Sequence, residues 1–257
     1  MKQNKILVIG DACVDQYISG LCIRLNPESP APLLSQHHTE TKMGMALNVS
    51  ANIQALGTES LTLVPEQKSI KTRFIDQRTG QQLLRVDQDH IVEPLAVNNL
   101  AALMSHKFSI IVVSDYNKGY VSDELLEYLD QLDVTVFVDT KKTDLGRYRN
   151  LIFKLNNKER NSLKSFPDNL IVTLGDRGAE YCGRIYSTPN VPVNDVCGAG
   201  DMFLSALAVK YSQTGSIVDS INYANRAAGI AVQHTGVYVL TPQDLKVLNN
   251  AGFSKKF

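Results

Sequence analysis

The chain has 257 residues, enough for one large α/β domain or one domain with a small appendage. Lys plus Arg and Asp plus Glu number 26 each, and the formal net charge is zero. That balance speaks against a nucleic-acid or membrane-surface binder, yet leaves room for a local basic pocket that takes a small anion.

The apolar run 6–9 predicts a first strand and is too short for a signal peptide or a membrane span. Segments 17–40 and 71–89 mix polar and apolar residues with strand character, and Arg78-Thr79-Gly80 marks a hairpin turn in the second. Together they predict a small β-sheet projecting from the main domain, as a lid over a ligand or as a dimer surface. Between them, 46–56 has helical spacing and stops at Gly57. Further β-branched runs at 110–113, 134–138, 151–155 and 170–174 lack clean alternation, as parallel strands buried on both faces do. Their C-terminal ends carry polar or glycine residues, and open parallel sheets bind ligands there. Ser122 is placed to cap a helix over 125–132. Phe203, Leu207 and Tyr211 share one face of a helix that Gly215 ends. Helices follow over 217–232 and from Thr241-Pro242. The four cysteines, Cys13, Cys22, Cys182 and Cys197, form no CxxC pair and read as reduced thiols of a cytoplasmic protein.

The segment 195–201, Asp-Val-Cys-Gly-Ala-Gly-Asp, carries the chemistry. Small residues at Gly198, Ala199 and Gly200 let backbone N–H groups approach an anion, and a helix N-terminus adds its positive field. Asp201, in the first turn, is placed to accept a proton as general base. Taken alone, a Gly-rich turn followed by Asp is also an ordinary helix start.

This segment resembles the Asp-Thr-x-Gly-Ala-Gly-Asp signature of the ribokinase-like, PfkB-type carbohydrate kinases. The resemblance implies Asp201 as catalytic base and Gly198, Ala199 and Gly200 as anion hole. It runs along nearly the whole chain. Asp15, in Gly10–Asp15, is similar to the sugar-binding Asp after the first strand, and Asn48 to the substrate-binding Asn that follows a glycine pair. Asn156 and Glu159 fit the Asn-x-x-Glu motif, associated with nucleotide phosphates and with Mg²⁺ held through water. Thr173, Gly175 and Gly178 resemble the loop lining the ATP site, and Asn225 the helix flanking the adenine pocket. Asp195 is the candidate for a monovalent cation, K⁺. The implied fold is a three-layer α/β sandwich with a mostly parallel central sheet. It makes a single kinase domain over 1–257, with a β-sheet lid formed by about 15–42 and 71–89. Similarity also suggests a homodimer through the lid.

Stretches around Arg24–Pro32, Lys71-Thr72-Arg73, Arg85-Val86-Asp87, Asp115–Gly119 and Asp139–Lys141 look closest to kinases of D-glycero-β-D-manno-heptose 7-phosphate, which supply ADP-heptose for lipopolysaccharide. That subgroup phosphorylates the anomeric hydroxyl of its sugar phosphate with ATP. Arg85, Lys71, Arg73 and Lys118 are then candidates to grip the distal phosphate, with Asp115 nearby in the substrate site. The alternatives are a kinase of another sugar or of a nucleoside, or a non-catalytic sugar or nucleotide sensor on the same fold. Two departures stand out. Met45 replaces the second glycine of the usual pair, and the chain is contracted after Pro65 and again after Glu159. No nucleotidyltransferase domain of the kind fused to some heptose kinases is expected.

Overall fold

The computed structural model describes residues 5–104 and 108–250. In chain order the elements are β1 (Lys5–Gly10), β2 (Ala12–Leu25), β3 (Pro32–Met45), α1 (Ala46–Ala55), β4 (Glu59–Leu63), β5 (Ser69–Asp76), β6 (Gln82–Gln88) and α2 (Val97–Leu103). There follow β7 (Ile110–Asp115), α3 (Asp123–Asp130), β8 (Thr135–Thr140), β9 (Ile152–Asn156), α4 (Asn157–Asn161), β10 (Leu170–Thr173), β11 (Ala179–Tyr181) and β12 (Arg184–Tyr186). Three helices close the described chain: α5 (Ala199–Thr214), α6 (Ile217–Ala231) and α7 (Pro242–Asn250).

The apolar runs become the centre of an eight-stranded sheet, ordered β12-β11-β10-β9-β8-β7-β1-β4. It is parallel from β10 to β4, and the β11–β12 hairpin adds antiparallel strands at one edge. β1 shows why its sequence does not alternate. Ile6 and Val8 face a core with α1, α5 and α6, while Leu7 and Ile9 face a second core with α3. Both faces of the strand are buried, so every position is apolar. The result is the expected three-layer sandwich.

A second sheet, β3-β2-β5-β6, projects beyond it. Its register places Cys13, Asp15 and Tyr17 of β2 beside Lys71 and Arg73 of β5, with Arg85 and Asp87 of β6 across from those. Side chains alternate along strands, so these groups share one face. That face meets the main body: the Tyr17 hydroxyl accepts from the Val237 amide at 3.1 Å, and Arg73 Nη2 lies 3.7 Å from Cys197 Sγ. The opposite face carries Val14, Ile18, Met43, Ile70, Phe74, Leu84 and Val86.

Most elements expected from sequence appear within a residue or two, with Ser122 accepting from the Leu125 amide and Gly215 ending α5 in the left-handed conformation, but the first lid segment runs over 12–45, five residues further at each end than 17–40. β4, α2, α4 and the β11–β12 hairpin were not anticipated. β4 reads Glu-Ser-Leu-Thr-Leu, too polar for a central strand, and it is the sheet edge. Only 64–68 joins it to β5, which is where the sequence is contracted.

Met45 ends β3 with φ 58° and ψ −133°, a backbone that favours glycine. The methionine therefore keeps the conformation that its position demands and pays in strain. Gly44 before it is obligatory for another reason: a Cβ there would lie 2.2 Å from Asp15 Oδ2. Strain at Met45 costs about 1–3 kcal/mol. Its side chain is buried, contributing about 1.5–3 kcal/mol, and a glycine adds about 0.5–1 kcal/mol of backbone entropy to lose. The balance predicts that Met45→Gly destabilises the fold by about 1 kcal/mol and lowers Tm by about 2–4 °C for a chain of this size. Calorimetry checks this; a higher Tm would mean that strain outweighs packing.

Candidate active site

α5 begins without a side-chain cap. Gly198, at φ 74°, turns the chain into the helix, and the Ala199 amide is already bonded to the Val196 carbonyl at 3.2 Å. First-turn amides have no intrahelical acceptor, so those of Gly200 and Asp201 are the ones offered to an anion. Asp201 sits in that turn and is buried. Asn48 Nδ2 donates to its Oδ2 at 3.0 Å, and the Tyr116 hydroxyl donates to its Oδ1 at 3.1 Å. Asn48 is itself fixed, since its Oδ1 accepts from Asn52 Nδ2 at 3.0 Å. Asn48, anticipated as a sugar contact, is thus also the residue that holds the Asp201 carboxylate.

Burial pushes the Asp201 carboxyl up to about 6. The Asn48 bond, Lys154 and the Tyr116 bond pull it down, and Asp139 pushes the same way as burial. The group is therefore ionised at neutral pH but remains basic enough to take a proton.

On the lid side, Asp15 is buried and pairs with Arg73 at 2.5 Å, while Cys13 Sγ donates to its other oxygen at 3.4 Å. Lys71 points its ammonium over the Tyr116 ring, 5.5 Å from the centroid, and has no carboxylate within ion-pair distance among the described residues. Arg85 and Lys118 are placed differently. Arg85 is half-exposed and makes two bonds to Asp87, at 2.8 and 2.9 Å, and Lys118 pairs with Asp89 at 2.5 Å. Asp115 is buried, and its oxygens accept from the Asn117 amide at 2.8 Å and Thr140 Oγ1 at 2.6 Å. The carboxylate is taken up in shaping the turn after β7.

On the other side of the α5 N-terminus lies a cleft of about 410 Å³. Asn156, Thr173, Gly175, Gly178 and Asn225 all line it, as do Ala199 and Gly200. Asn225 acts through its neighbours, donating to the Tyr186 carbonyl at 2.7 Å and so holding the strap that forms one wall. Glu159 closes a capping box with Asn156 at the start of α4, lines an adjoining groove and pairs with Lys141. Asp195 accepts from the Cys197 amide at 2.9 Å and the Gly236 amide at 2.8 Å, stapling the loop before α5 to the one after α6.

Two residues of the site escaped the sequence reading. Lys154 is buried on β9, bonded to Asp139 Oδ2 at 2.6 Å, with its ammonium 2.9 Å from where a Cβ on Gly200 would stand. It brings a positive charge beneath the anion hole. Tyr116 is the other: nothing in its local sequence links it to Asp201, 85 residues on. Among the described residues no cluster of three or more His, Cys, Asp or Glu cages a metal. Asp139 Oδ1, buried without a partner, and Glu159 are hard oxygen donors. They suit an ion such as Mg²⁺ that keeps water and phosphate ligands.

Because the folded chain holds the Asp201 proton to higher pH than the unfolded one, this group costs stability as pH rises from about 4 through 6. Asp201→Asn cannot titrate. The unfolding free energy of the variant minus that of the wild type is expected to grow by up to roughly 3 kcal/mol between pH 4 and pH 8. Urea titrations across that range measure it; a flat difference would rule out a raised carboxyl.

Residues 150–244 match the family described as pfkB family carbohydrate kinase. The chain is 28% identical over 307 aligned positions to the Bifunctional protein HldE of Campylobacter jejuni, covering 99% of this chain and 67% of that protein. To the same-named protein of Hydrogenovibrio crunogenus it is 27% identical over 304 positions, covering 97% and 63%. It therefore spans about two thirds of the length of these curated relatives. Both alignments are longer than the chain itself, in keeping with the contractions noted above. Arabidopsis thaliana ribokinase complexed with ribose and ATP superposes with a TM-score of 0.69 at 17% identity, covering 96% of this chain and 99% of that one. Escherichia coli phosphofructokinase-2 in complex with potassium gives 0.69 at 15%, covering 97% and 99%. No helix among the described residues is long and apolar enough to cross a membrane. The chain thus shares the ribokinase fold, and over 150–244 it is similar to the pfkB family carbohydrate kinases.

Proposed function

We propose that the protein transfers the γ-phosphoryl group of ATP to the anomeric hydroxyl of D-glycero-β-D-manno-heptose 7-phosphate, giving the 1,7-bisphosphate. The observation that carries this reading is the position of Asp201. It lies between the lid's charged face and a cleft that reaches the same helix N-terminus. The sugar end is favoured as a phosphorylated one by Lys71, a cation facing the pocket without a carboxylate partner among the described residues. Arg85 and Lys118 join it by exchanging Asp87 and Asp89 for the phosphate.

In this mechanism Asp15, held in place by Arg73, accepts from ring hydroxyls. Asp201 takes the proton of the anomeric hydroxyl as its oxygen bonds to the γ-phosphorus, and ADP leaves with the β–γ bridging oxygen. The amides of Gly200 and Asp201 and the ammonium of Lys154 face the transferred group. Glu159, beside Asn156, would hold Mg²⁺ through water, and the ion would supply charge neutralisation. Asp195 is the residue beside which a monovalent cation would sit, by likeness to the potassium-bound phosphofructokinase-2. The four free cysteines suit a cytoplasmic enzyme.

The outer lid face supports a homodimer. Met43, Leu84 and Val86 are 50%, 57% and 41% exposed on a face that also carries Val14, Ile18, Ile70 and Phe74 around a Gln16–Thr72 hydrogen bond, an arrangement that a second copy would bury. Leu84→Asp with Val86→Asp is expected to give a monomer in sedimentation analysis; a wild-type monomer at high concentration would overturn this.

Mass and phosphorus spectroscopy of the product formed from heptose 7-phosphate and ATP tests the substrate. A product from another sugar or a nucleoside, with none from heptose 7-phosphate, would move the assignment. Asp201→Asn is expected to bind both substrates and lose about 10²–10⁴-fold in kcat. Near-normal turnover in that variant would remove the base from the mechanism.

A further inference from the structure

Tyr116 occupies the turn after β7, and that turn is pinned at several points. Asp11 Oδ2 accepts from the Tyr116 amide at 2.8 Å and from the Lys118 amide at 3.1 Å. Asp115 holds the Asn117 amide, and Asn117 takes a left-handed φ of 58° to close the turn. The backbone that carries Tyr116 therefore has little freedom. Its ring lies between two ammonium groups, Lys71 of the lid at 5.5 Å from the centroid and Lys141 beyond β8 at 5.0 Å. Lys141 in turn pairs with Glu159 of the nucleotide-side capping box. The hydroxyl at the far end of the ring reaches Asp201 Oδ1 at 3.1 Å.

We propose that Tyr116 is a positioning residue for the phosphoryl-transfer step, its hydroxyl and the Asn48 amide together fixing the orientation of the Asp201 carboxylate. Each oxygen of Asp201 has one donor, from a different element. Rotation of the carboxylate breaks both bonds, so the pair sets the direction in which a lone pair meets the incoming hydroxyl. Through its ring, Tyr116 also links the base to the lid and to the nucleotide motif. This inference rests on the reading of Asp201 as the base.

The charged and titratable groups around Asp201 are few. Cys13 faces it from β2, Asp139 from the end of β8, Lys141 from just beyond that end, and Lys154 from β9. Lys71 of β5 stands over the Tyr116 ring. Asp139 favours the protonated carboxyl and Lys154 the ionised one. The hydrogen bonds from Asn48 and Tyr116 favour the ionised form, and burial raises the Tyr116 phenol well above its usual range, so it stays a donor. Loss of the Tyr116 bond alone leaves the other influences in place and raises the proton affinity of Asp201.

Tyr116→Phe removes one oxygen and keeps the ring between the two lysines. With heptose 7-phosphate and ATP, the acidic limb of the kcat/KM–pH profile is expected to move up by about one unit. kcat falls about fivefold near pH 6, while KM for each substrate stays within about twofold. A lower kcat at every pH with an unmoved limb would mean a merely structural role. A raised sugar KM with kcat unchanged would mean that the hydroxyl binds sugar instead. Either outcome overturns the proposal. A second measurement does not depend on turnover: ¹³C NMR titration of Asp carboxyl carbons in wild type and Tyr116→Phe, with the Asp201 signal assigned by its loss in Asp201→Asn. An upward shift in the variant supports the inference even if heptose 7-phosphate proves to be the wrong acceptor, and an unchanged titration refutes it.

Discussion

Asp201 keeps a carboxylate where little water reaches it, and the hydrogen bonds from Asn48 and Tyr116 are what make that charge tolerable. An ionised carboxylate moved out of water without partners would be protonated or would unfold its surroundings. Here two donors, the N-terminal end of α5 and the ammonium of Lys154 stand in for water. The compensation is incomplete, as the raised proton affinity shows, and that incompleteness is useful. A fully satisfied carboxylate would be too weak a base to take a sugar proton at neutral pH. The rest of the fold can be read as the means of bringing these groups to one place. Asn48 lies 153 residues before Asp201 in the chain, and Tyr116 lies 85 before it. The packing of α1 against α5, and of α5 on β7 and β8, closes those gaps.

The lid solves a related problem with a different device. A strand has two faces, and β2, β5 and β6 give them separate tasks. The inner face carries Asp15 and Arg73 as a pair, with their side chains 4% and 12% exposed. Separating such a pair would strand a charge in a poorly hydrated place, so Arg73 and Asp15 hold each other in position whether or not sugar is present. Towards the rim the pairs are more exposed and weaker, as between Arg85 and Asp87. The gradient suits a pocket whose deep end is built in advance and whose outer end re-pairs on a ligand's phosphate. The outer face, where Val14, Ile18, Ile70 and Phe74 surround Gln16 and Thr72, plays no part in this.

Much of this was legible in the sequence, for identifiable reasons. Strands buried on both faces leave runs such as Ile6–Ile9 that hardly anything else explains, and a glycine-rich turn before Asp201 signals its own geometry. Asn156, Thr173, Gly175, Gly178 and Asn225 were expected from motif likeness, and they do line one cleft, Asn225 from α6 and the others from strand ends and the turns after them. What was not legible depends on long-range pairing. Lys154 sits in the middle of a buried strand, where a lone lysine has no local signature; its meaning comes from Asp139 and from the space that Gly200 leaves open. Tyr116 looked like an aromatic residue at a strand end, and nothing nearby in sequence pointed to Asp201. Asp115 was read as a substrate ligand because it is polar at a strand end, but the fold uses such residues as often to shape the turn as to meet a ligand. Met45 was legible only as a departure. Its backbone had to be seen to know that a methionine keeps the glycine geometry.

The contractions in the chain fall where they disturb the surroundings of Asp201 least. The central strands β1, β7, β8 and β9 are parallel neighbours, and from them or the turns that follow come Asp11, Tyr116, Asp139, Lys154 and Asn156. Loss of any one would move a group that touches or supports the base. The shortened connections are at the edge, after β4, and on the flank after α4. Trimming there removes buried area and exposes a strand edge, which costs stability. It leaves the register of the central strands alone. A kinase of this architecture can therefore lose scaffold from its edges while the distances around Asp201, set by the four inner strands and the start of α5, stay as they are.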